Sequence, residues 1–438
     1  MREGIMTGYS AYNKPEGEPS ARNRPSRLHT LIAVLLLAVM NFGSHFGANL
    51  GVKIMPIDVV TAAFLGYVIF TRHFYFRLDG SGMVLFLLLF LSFFIEMFSV
   101  VVIDGGATEN VTLGVAVLRN AALIFIIMQI NYDQSRVRAW LMYVGVFFSL
   151  AAIAGYLYAQ SIYSQILSTR SMWESDVFWT MEAGHLRLQG LQADPNFFFI
   201  VNLIPLFFGI SLVRDEKSIR AFAGTGIILA ASVLTFSRSG AVLLALLLLV
   251  FFAGDIARVN VTKLFVTFAV LIALFIAAHF ISAAYNLPYV EDIIVERFER
   301  GTETGGSGRL YLWSAAWDGF KDAMVFGKGG RYIFREYGQY VHNDFLEMLS
   351  SHGLAGFISM MSMWIYIAFH VMSNYFQRRG NVLFLYASLL FFFLFVVSFF
   401  FTMYYQPFIW FVVALIFTAR GVAGGKAASG KEGESPRQ

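Results

Sequence analysis

Long uninterrupted apolar runs are the feature that most restricts what this chain can fold into. Stretches such as "VLFLYASLLFFFLFVVSFFF", from position 382, match the roughly 20 residues that a helix needs to cross a bilayer core. Composition agrees, because 58% of the 438 residues are apolar and only 14% are charged, with a mean hydropathy of +0.64. The sequence predicts an all-α polytopic membrane protein. With no cysteine, it excludes disulfides and thiolate chemistry.

The runs predict about 12 transmembrane helices, and eleven or thirteen spans also fit. The predicted spans are 30–46, 55–70, 81–103, 112–130, 137–159, 197–213, 220–236, 240–253, 264–285, 354–373, 382–402 and 404–420. They enclose two long polar segments, 160–196 and 286–353. The polar ends, 1–29 and 421–438, are predicted to be disordered tails.

The distribution of Lys and Arg predicts the orientation of these spans. Loops retained in the cytoplasm are rich in Lys and Arg. Most of the 32 basic residues lie in tails and loops that fall on one side: 2–27, 72–77, 136–138, 214–220, 258–263, 378–379 and 420–437. Both termini are therefore predicted to be cytoplasmic. The loop 160–196 within the first nine spans (30–285) and the large loop 286–353, ahead of spans ten to twelve (354–420), then face the opposite side, where we expect the functional site.

The large loop 286–353 contains a predicted amphipathic helix, "RLYLWSAAWDGFKDAM". Leu310, Trp313, Trp317, Phe320 and Met324 recur at helical spacing, and we expect this stripe to lie on the membrane surface. The tryptophans are either part of a site or merely interfacial anchors. The segment "FGKGG" then predicts a glycine turn.

The segment "HNDFLEMLSSHGLAG" predicts a short helix that ends at Gly353 and leads into the tenth span. Asp344 and Glu347 fall in its first turns, where acidic side chains suit the helix dipole. His352 falls in its last turn, so we interpret it as a C-terminal cap in preference to a ligand. Neither role explains His342, which precedes the helix and faces the aqueous side.

An arginine at membrane depth usually marks a pathway or an anion site. Arg119 and Glu96 each lie seven residues inside the outer end of a predicted span, roughly 10 Å deep. The two form either a buried ion pair that fixes helix packing or a pair in which Arg119 also reaches a diphosphate.

Three further arginines lie on the predicted outer face: Arg238 in "TFSRSGA", Arg187 in "LRLQGLQADPN", and Arg309 at the start of the amphipathic helix. Guanidinium groups match phosphate oxygens, and a histidine near neutral pKa can accept a proton from a hydroxyl. The sequence has no Walker loop, no dinucleotide fingerprint, no Asp-x-Asp pair and no His/Cys cluster with metal spacing. We therefore expect no cofactor, no metal and no nucleic-acid partner, with arginine stabilising the charge.

These motifs, in this order, resemble the O-antigen ligase and O-antigen polymerase superfamily. The resemblance rests on "SRSG" at 237–240, Arg309 with Trp313, "FGKGG" at 326–330 and "HNDFLEMLSSHGLAG". It also rests on the pattern of Arg187, Gly190, Pro195 and Asn196, and on the twelve-span layout with its large loop between spans nine and ten. The family more often has a proline just before the glycine-rich segment, which this chain lacks.

The resemblance implies a bacterial inner-membrane transferase that takes a glycan from undecaprenyl diphosphate on the periplasmic face, without metal, and inverts the anomeric carbon. His342 is then similar to the family's general base, with Arg238 and Arg309 as diphosphate ligands and Arg187 as a weaker third. Candidate sugar contacts are Trp313, Trp317, Tyr332, Tyr340 and Asn343. Besides donor, acceptor and membrane lipids, a protein that regulates chain length is a further partner to consider.

The acceptor separates two enzymatic interpretations. A polymerase transfers the glycan to another lipid-linked repeat unit, whereas a ligase transfers it to a lipid A core sugar. The "HNDFLE" and "ADPN" segments favour a polymerase of O-antigen or exopolysaccharide. A non-enzymatic alternative is a transporter of lipid-linked glycan, but transporters usually contain repeated helix sets, and none is visible in this sequence.

Overall fold

The computed structural model describes residues 26–43, 46–49, 53–72, 78–103, 108–169, 173–182, 185–216, 218–237, 240, 244, 309–378 and 381–419. The predicted span 264–285, nearly all of the predicted span 240–253, residues 1–25 of the first tail, the second tail, Arg238 and the first part of the large loop lie outside these residues. The end of the first tail is helical, since α1 begins at Arg27.

The described part of the chain is mostly helical. Its helices are α1 Arg27–Met40, α2 Pro56–Arg72, α3 Gly80–Phe98 continued by a π-helix Ser99–Ile103, α4 Thr108–Gln129, α5 Gln134–Ser161, α6 Tyr163–Thr169, α7 Pro195–Glu216, α8 Ile219–Val233, α9 Arg309–Asp322, α10 Tyr332–Tyr337, α11 Asp344–Arg378, α12 Val382–Val397 and α13 Pro407–Thr418. Five of them are long and apolar enough to cross a membrane: α3 with its π-helix, α4 from Val111, α5, α7 and α11. Five shorter apolar helices, α1, α2, α8, α12 and α13, coincide with further predicted spans.

Short antiparallel strands correct the expectation of an all-α chain. β3 Trp173–Ser175, β4 Trp179–Glu182 and β5 His185–Leu188 form a three-stranded sheet in the first long polar segment. Thr180 pairs with Arg187 across β4 and β5. A two-residue pair, β1 Ala48–Asn49 with β2 Lys53–Ile54, lies between α1 and α2. The three-stranded sheet packs on α5, so it covers one end of the helical layer.

The largest apolar cluster of the described residues almost fully encloses α7 and α13. α13 packs between α4 and α12, and every residue from Pro407 to Phe417 is buried. Because α13 is hydrophobic on all sides, it is the helix expected in the centre of a bundle. α7 packs against α5 and α8, and 78% of the residues in its most apolar 18-residue stretch are buried.

α11 is broken at Gly353, where φ is 62° and ψ is −156°. A helix break leaves backbone donors and acceptors without partners on both sides. Here the glycine-rich segment 324–329 supplies them: Leu354 and Ala355 donate N–H groups to the carbonyls of Met324 and Val325, at 2.8 and 3.1 Å. In return the carbonyls of Ser350 and Ser351 accept from the N–H groups of Lys328 and Gly329, at 2.9 and 3.0 Å.

Segment 324–329 and the helix break cross so closely that each needs a glycine at the crossing point. A Cβ at Gly327 would lie 2.4 Å from the backbone of Ser351 and His352, and a Cβ at Gly353 would lie 2.5 Å from the carbonyl of Val325. The predicted glycine turn and the helix end at Gly353 are thus parts of the same crossing.

Replacing Gly353 with Ala is expected to destabilise the protein by at least about 2 kcal/mol, because a side chain at φ 62° is strained and would also clash with Val325. Thermal unfolding in detergent measures this. Gly66→Ala in α2 is the matched control, since a Cβ there meets nothing within 4 Å and alanine favours a helix. Equal melting temperatures for the two variants would contradict the proposed role of the crossing.

Candidate functional site

His342 lies at the end of the loop between α10 and α11, in a left-handed conformation with φ 54°. A residue other than glycine is uncommon there, and such residues cluster at functional sites. Its ring packs edge-on against Phe401, at 6.2 Å between ring centroids, and near Tyr340, at 6.4 Å.

Arg309, at the start of α9, also contacts the ring of Phe401. Its guanidinium carbon lies 5.4 Å from the centroid of Phe401, within the range of a cation–π contact. Arg309 and His342 interact electrostatically, and so do Asp194 and His342. The structure therefore brings together two of the predicted site residues, one from each end of the described part of the large loop.

Burial, followed by the positive charge of Arg309, lowers the pKa of His342 to about 4, while Asp194 acts in the opposite direction. At neutral pH the imidazole is therefore uncharged. One ring nitrogen of a neutral imidazole has a lone pair, so His342 is in the protonation state that a proton acceptor needs.

The segment that follows His342 is fixed to the loop between α12 and α13. Asn343 donates from Nδ2 to the carbonyl of Phe399, at 3.1 Å, and its Oδ1 accepts from Leu346 N–H, at 3.0 Å. The carboxylate of Asp344 accepts N–H groups of Met403 and Tyr404, at 2.9 and 3.1 Å. Asp344 is only 1% exposed and accepts two N–H groups of another loop. The sequence predicted only an interaction with the helix dipole. These bonds hold Phe401, which lies in the same loop, against His342.

Asp344→Ala is expected to destabilise the protein by about 2–5 kcal/mol, because two buried N–H groups lose their acceptor. Asp344→Asn keeps one acceptor oxygen and should lose less. Chemical or thermal unfolding in detergent measures both variants. Asp318→Ala on α9 is the control: its carboxylate is 60% exposed and pairs only with Lys321 among the ion pairs described, so we expect about 0–1 kcal/mol. A stability of Asp344→Ala equal to that of the control would refute the role of these bonds.

Trp313 connects α9 to the same region, because its Nε1 donates to the carbonyl of Val341, at 3.0 Å. The expected stripe of α9 is only partly correct. Leu312, Ala316, Gly319 and Phe320 are the buried face, whereas Leu310 and Trp317 are exposed. The helix thus packs through one face and presents Leu310, Tyr311 and Trp317 outward.

Arg187 belongs to a second polar group close to Asp194. It forms an ion pair with Glu182, donates to the carbonyl of Thr235, at 2.9 Å, and contacts Oδ1 of Asn196, at 3.4 Å. Thr235 precedes the "SRSG" turn, so this guanidinium supports the chain leading to Arg238. Ser237, within that turn, accepts Gly240 N–H at 3.1 Å.

Asp194 was not among the residues chosen from the sequence. Its Oδ1 accepts Asn196 N–H, at 2.6 Å, and Pro195 begins α7. An aspartate directly before a helix that starts with proline is a signal that sequence alone contains. The proximity of Asp194 to His342 could not be recognised from the sequence, because 148 positions separate the two along the chain.

The prediction that Glu96 is the ion-pair partner of Arg119 is wrong. Arg119 instead contacts Asp58, at 3.3 Å, and donates to the carbonyl of Tyr405, at 2.6 Å. Asp58 lies near the start of α2, a helix whose packing against α4 the sequence did not reveal.

Glu96 pairs with His352, and both are almost fully buried. Oε2 of Glu96 lies 3.3 Å from Nε2 of His352, and Tyr405 contacts both side chains through its hydroxyl. His352 does occupy the last position before Gly353, as expected. Its ring, however, joins α11 to α3, which corrects the interpretation of His352 as only a C-terminal cap.

Among the remaining predicted sugar contacts, Tyr340 lies beside His342. Tyr340 stacks on Phe334, at 4.6 Å, and is 40% exposed, whereas Trp317 is 48% exposed. Tyr332 packs directly against Gly319 of α9, where a Cβ would lie 2.4 Å from its ring.

Comparison with known proteins identifies the region that contains this site. A family model described as O-Antigen ligase matches residues 223–361, a range that includes Arg238, Arg309 and His342. No curated protein matches the chain. The apolar helices and this match make the protein a membrane protein. The match over residues 223–361 confirms that the chain resembles the O-antigen ligase and O-antigen polymerase superfamily.

Proposed function

We propose that the protein transfers a glycan from undecaprenyl diphosphate to an acceptor hydroxyl on the periplasmic face of the inner membrane, without a metal. The observation that carries this proposal is the contact of His342 and Arg309, both within the matched range 223–361, with the ring of Phe401. A neutral imidazole and a guanidinium side by side suit a reaction that removes a proton from a hydroxyl and releases an anionic diphosphate.

In the proposed step the acceptor oxygen forms a bond with the anomeric carbon, and the bond from that carbon to the diphosphate oxygen breaks. The acceptor proton moves to His342, and the bonding electrons leave with the diphosphate. Attack from the opposite side inverts the anomeric carbon. In this proposal Arg309 holds the diphosphate, since guanidinium groups bind phosphate oxygens through two parallel hydrogen bonds.

Arg238, Arg187 and Arg119 remain proposed diphosphate ligands. Arg238 lies outside the described residues, while Arg187 and Arg119 already contact carboxylates and backbone carbonyls. We therefore rank Arg309 and Arg238 ahead of them. Trp317, Tyr332 and Tyr340 remain proposed sugar-stacking surfaces, with Trp313 and Asn343 as further contacts.

We propose a polymerase of O-antigen or exopolysaccharide repeat units as the first candidate. The description of the matched family favours a ligase as the second. Gel analysis of surface glycan in a deletion strain distinguishes them: a single repeat on the lipid A core indicates a polymerase, and free lipid-linked polymer indicates a ligase. We also propose that both termini are cytoplasmic. For the polymerase, we propose that a partner protein regulates the length of the glycan chain.

The test of glycan transfer uses the purified full-length protein, a lipid-diphosphate donor and acceptor, and EDTA to remove divalent metal. We expect release of undecaprenyl diphosphate together with a longer glycan. The matched control is His342→Asn, which should release undecaprenyl diphosphate at least about 10²-fold more slowly. A transporter would move the donor across vesicles without releasing diphosphate, so the absence of release by the wild-type protein would contradict the proposed function.

A further inference from the structure

A second polar site lies between α3 and α11, at the ends opposite to His342. The two helices are antiparallel: Glu96 meets His352 near one end, and Tyr366 donates to the carbonyl of Ser81, at 2.7 Å, near the other. A cavity of about 270 Å³ opens at this second end. It is lined by Asp79, Tyr366, Phe369, His370, Asn374 and Arg378, among others.

Two basic side chains in this cavity have polar atoms without partners. His370 is 5% exposed, its ring stacks on Phe417 at 4.0 Å between centroids, and its Nε2 has no hydrogen-bond partner. Nη1 of Arg378 also has none, although the guanidinium lies 5.8 Å from the centroid of Phe384. Buried polar atoms are nearly always paired, so these two atoms point to a ligand that accepts hydrogen bonds.

The cavity also contains a negative charge. Asp79 accepts Gly82 N–H through Oδ1, at 2.7 Å, and thereby caps the start of α3. Asp79 and Arg378 interact electrostatically across the cavity, and in the described part of the chain no direct ion pair joins them. Opposite charges that line one cavity without touching are complementary to a ligand that has both charges.

The rim of the cavity is apolar. Phe369, which lines it, is 66% exposed, and Met372 and Phe376 on the same helix are 69% and 77% exposed. In a helix long and apolar enough to cross a membrane, such side chains face lipid. A ligand in the cavity is therefore next to the acyl chains of the surrounding bilayer.

We propose that this cavity binds the zwitterionic headgroup of an ethanolamine phospholipid. Arg378 and His370 contact the phosphate, and Asp79 contacts the ammonium group. The acyl chains lie along Phe369 and Phe376. A headgroup with only a phosphate would be repelled by Asp79, and a choline headgroup has no N–H to donate to it. The site is at the end of α11 remote from His342 and does not depend on the proposed glycan transfer.

The test is a lipid titration of the purified full-length protein in detergent, read by native mass spectrometry. Dioleoyl phosphatidylethanolamine is compared with the phosphatidylcholine and phosphatidylglycerol that have the same acyl chains. For the wild-type protein we expect the ethanolamine lipid to bind about tenfold more tightly than either of the others, the effect of one charge-assisted hydrogen bond.

Two variants test the positive and the negative side chain of the cavity separately. Arg378→Gln should weaken binding of the ethanolamine lipid about tenfold. Asp79→Asn should abolish the preference over phosphatidylglycerol while keeping the helix cap, because asparagine caps as well as aspartate. Arg136→Gln is the matched control, since that arginine is 60% exposed on α5 and does not line the cavity.

Circular dichroism verifies that each variant is folded. Equal binding of the three lipids by the wild-type protein would overturn the proposal, as would tighter binding of phosphatidylglycerol, which indicates a phosphate site only. An unchanged lipid preference in folded Asp79→Asn would also overturn it.

Discussion

His342→Asn is expected to lower the rate of glycan transfer by about 10²- to 10⁴-fold, the usual contribution of a general base. Asparagine tolerates the left-handed backbone that His342 adopts, so the loop should keep its conformation. The single-turnover rate of diphosphate release from a lipid-linked donor measures the effect. Unfolding in detergent should be close to that of the wild-type protein.

The pH dependence provides a second measurement on the same residue. In the free protein the pKa of His342 is lowered to about 4, so kcat/KM should be flat from about pH 5.5 upward and fall only near pH 4. A bound diphosphate adds negative charge beside Arg309 and favours the imidazolium. The pKa that governs kcat should therefore be higher than the one that governs kcat/KM.

His342→Ala is a further comparison, because it removes the imidazole without providing another hydrogen-bonding group. Both variants should be inactive to a similar degree if proton transfer is the role of His342. Transfer at a wild-type rate by either folded variant, or identical pKa values for kcat and kcat/KM, would disprove the assignment as formulated.

Arg309→Lys is expected to reduce transfer by about 10²-fold or more, although the charge is conserved. A lysine ammonium cannot reproduce the two parallel hydrogen bonds of a guanidinium, nor its planar contact with Phe401. The loss should appear in both kcat and kcat/KM, because the charge on the leaving diphosphate develops in the transition state. Steady-state kinetics over a range of donor concentrations measures both.

Lys321→Arg on the same helix is the matched control. Its ammonium group pairs with Asp318 at 2.7 Å, and its side chain is 52% exposed, so the exchange should leave the rate unchanged. If Arg309→Lys retains wild-type kinetics, the guanidinium of Arg309 does not bind the diphosphate, and Arg238 becomes the principal candidate.

Local and periodic features of the fold were predictable from the sequence. Hydropathy located the helices, and the pattern before the tenth span predicted a short helix that ends at Gly353; Asn343 caps its start in the structure. These features depend on residues close together in the chain. The strands around Arg187 were missed because segments of three or four residues give almost no periodic signal.

Partners distant in sequence were not predictable. Arg119 contacts Asp58 instead of the Glu96 expected from equal depth, and His352 contacts Glu96 across 256 positions of chain. The sequence indicated only a helix-dipole role for Asp344, because Met403 and Tyr404, whose N–H groups donate to its carboxylate, lie in a different loop. Membrane depth restricts which charges can meet, but only the packing of helices selects the pairs.

The hydrogen bonds around Gly353 have a consequence for how close a lipid carrier can approach. Because segment 324–329 satisfies the carbonyls and N–H groups at the break, this irregular backbone needs no water to remain stable. Non-helical chain can therefore lie at the depth of the lipid headgroups, eleven positions from His342. A dehydrated boundary at that depth would let a prenyl carrier bring its diphosphate to the protein without first leaving the bilayer.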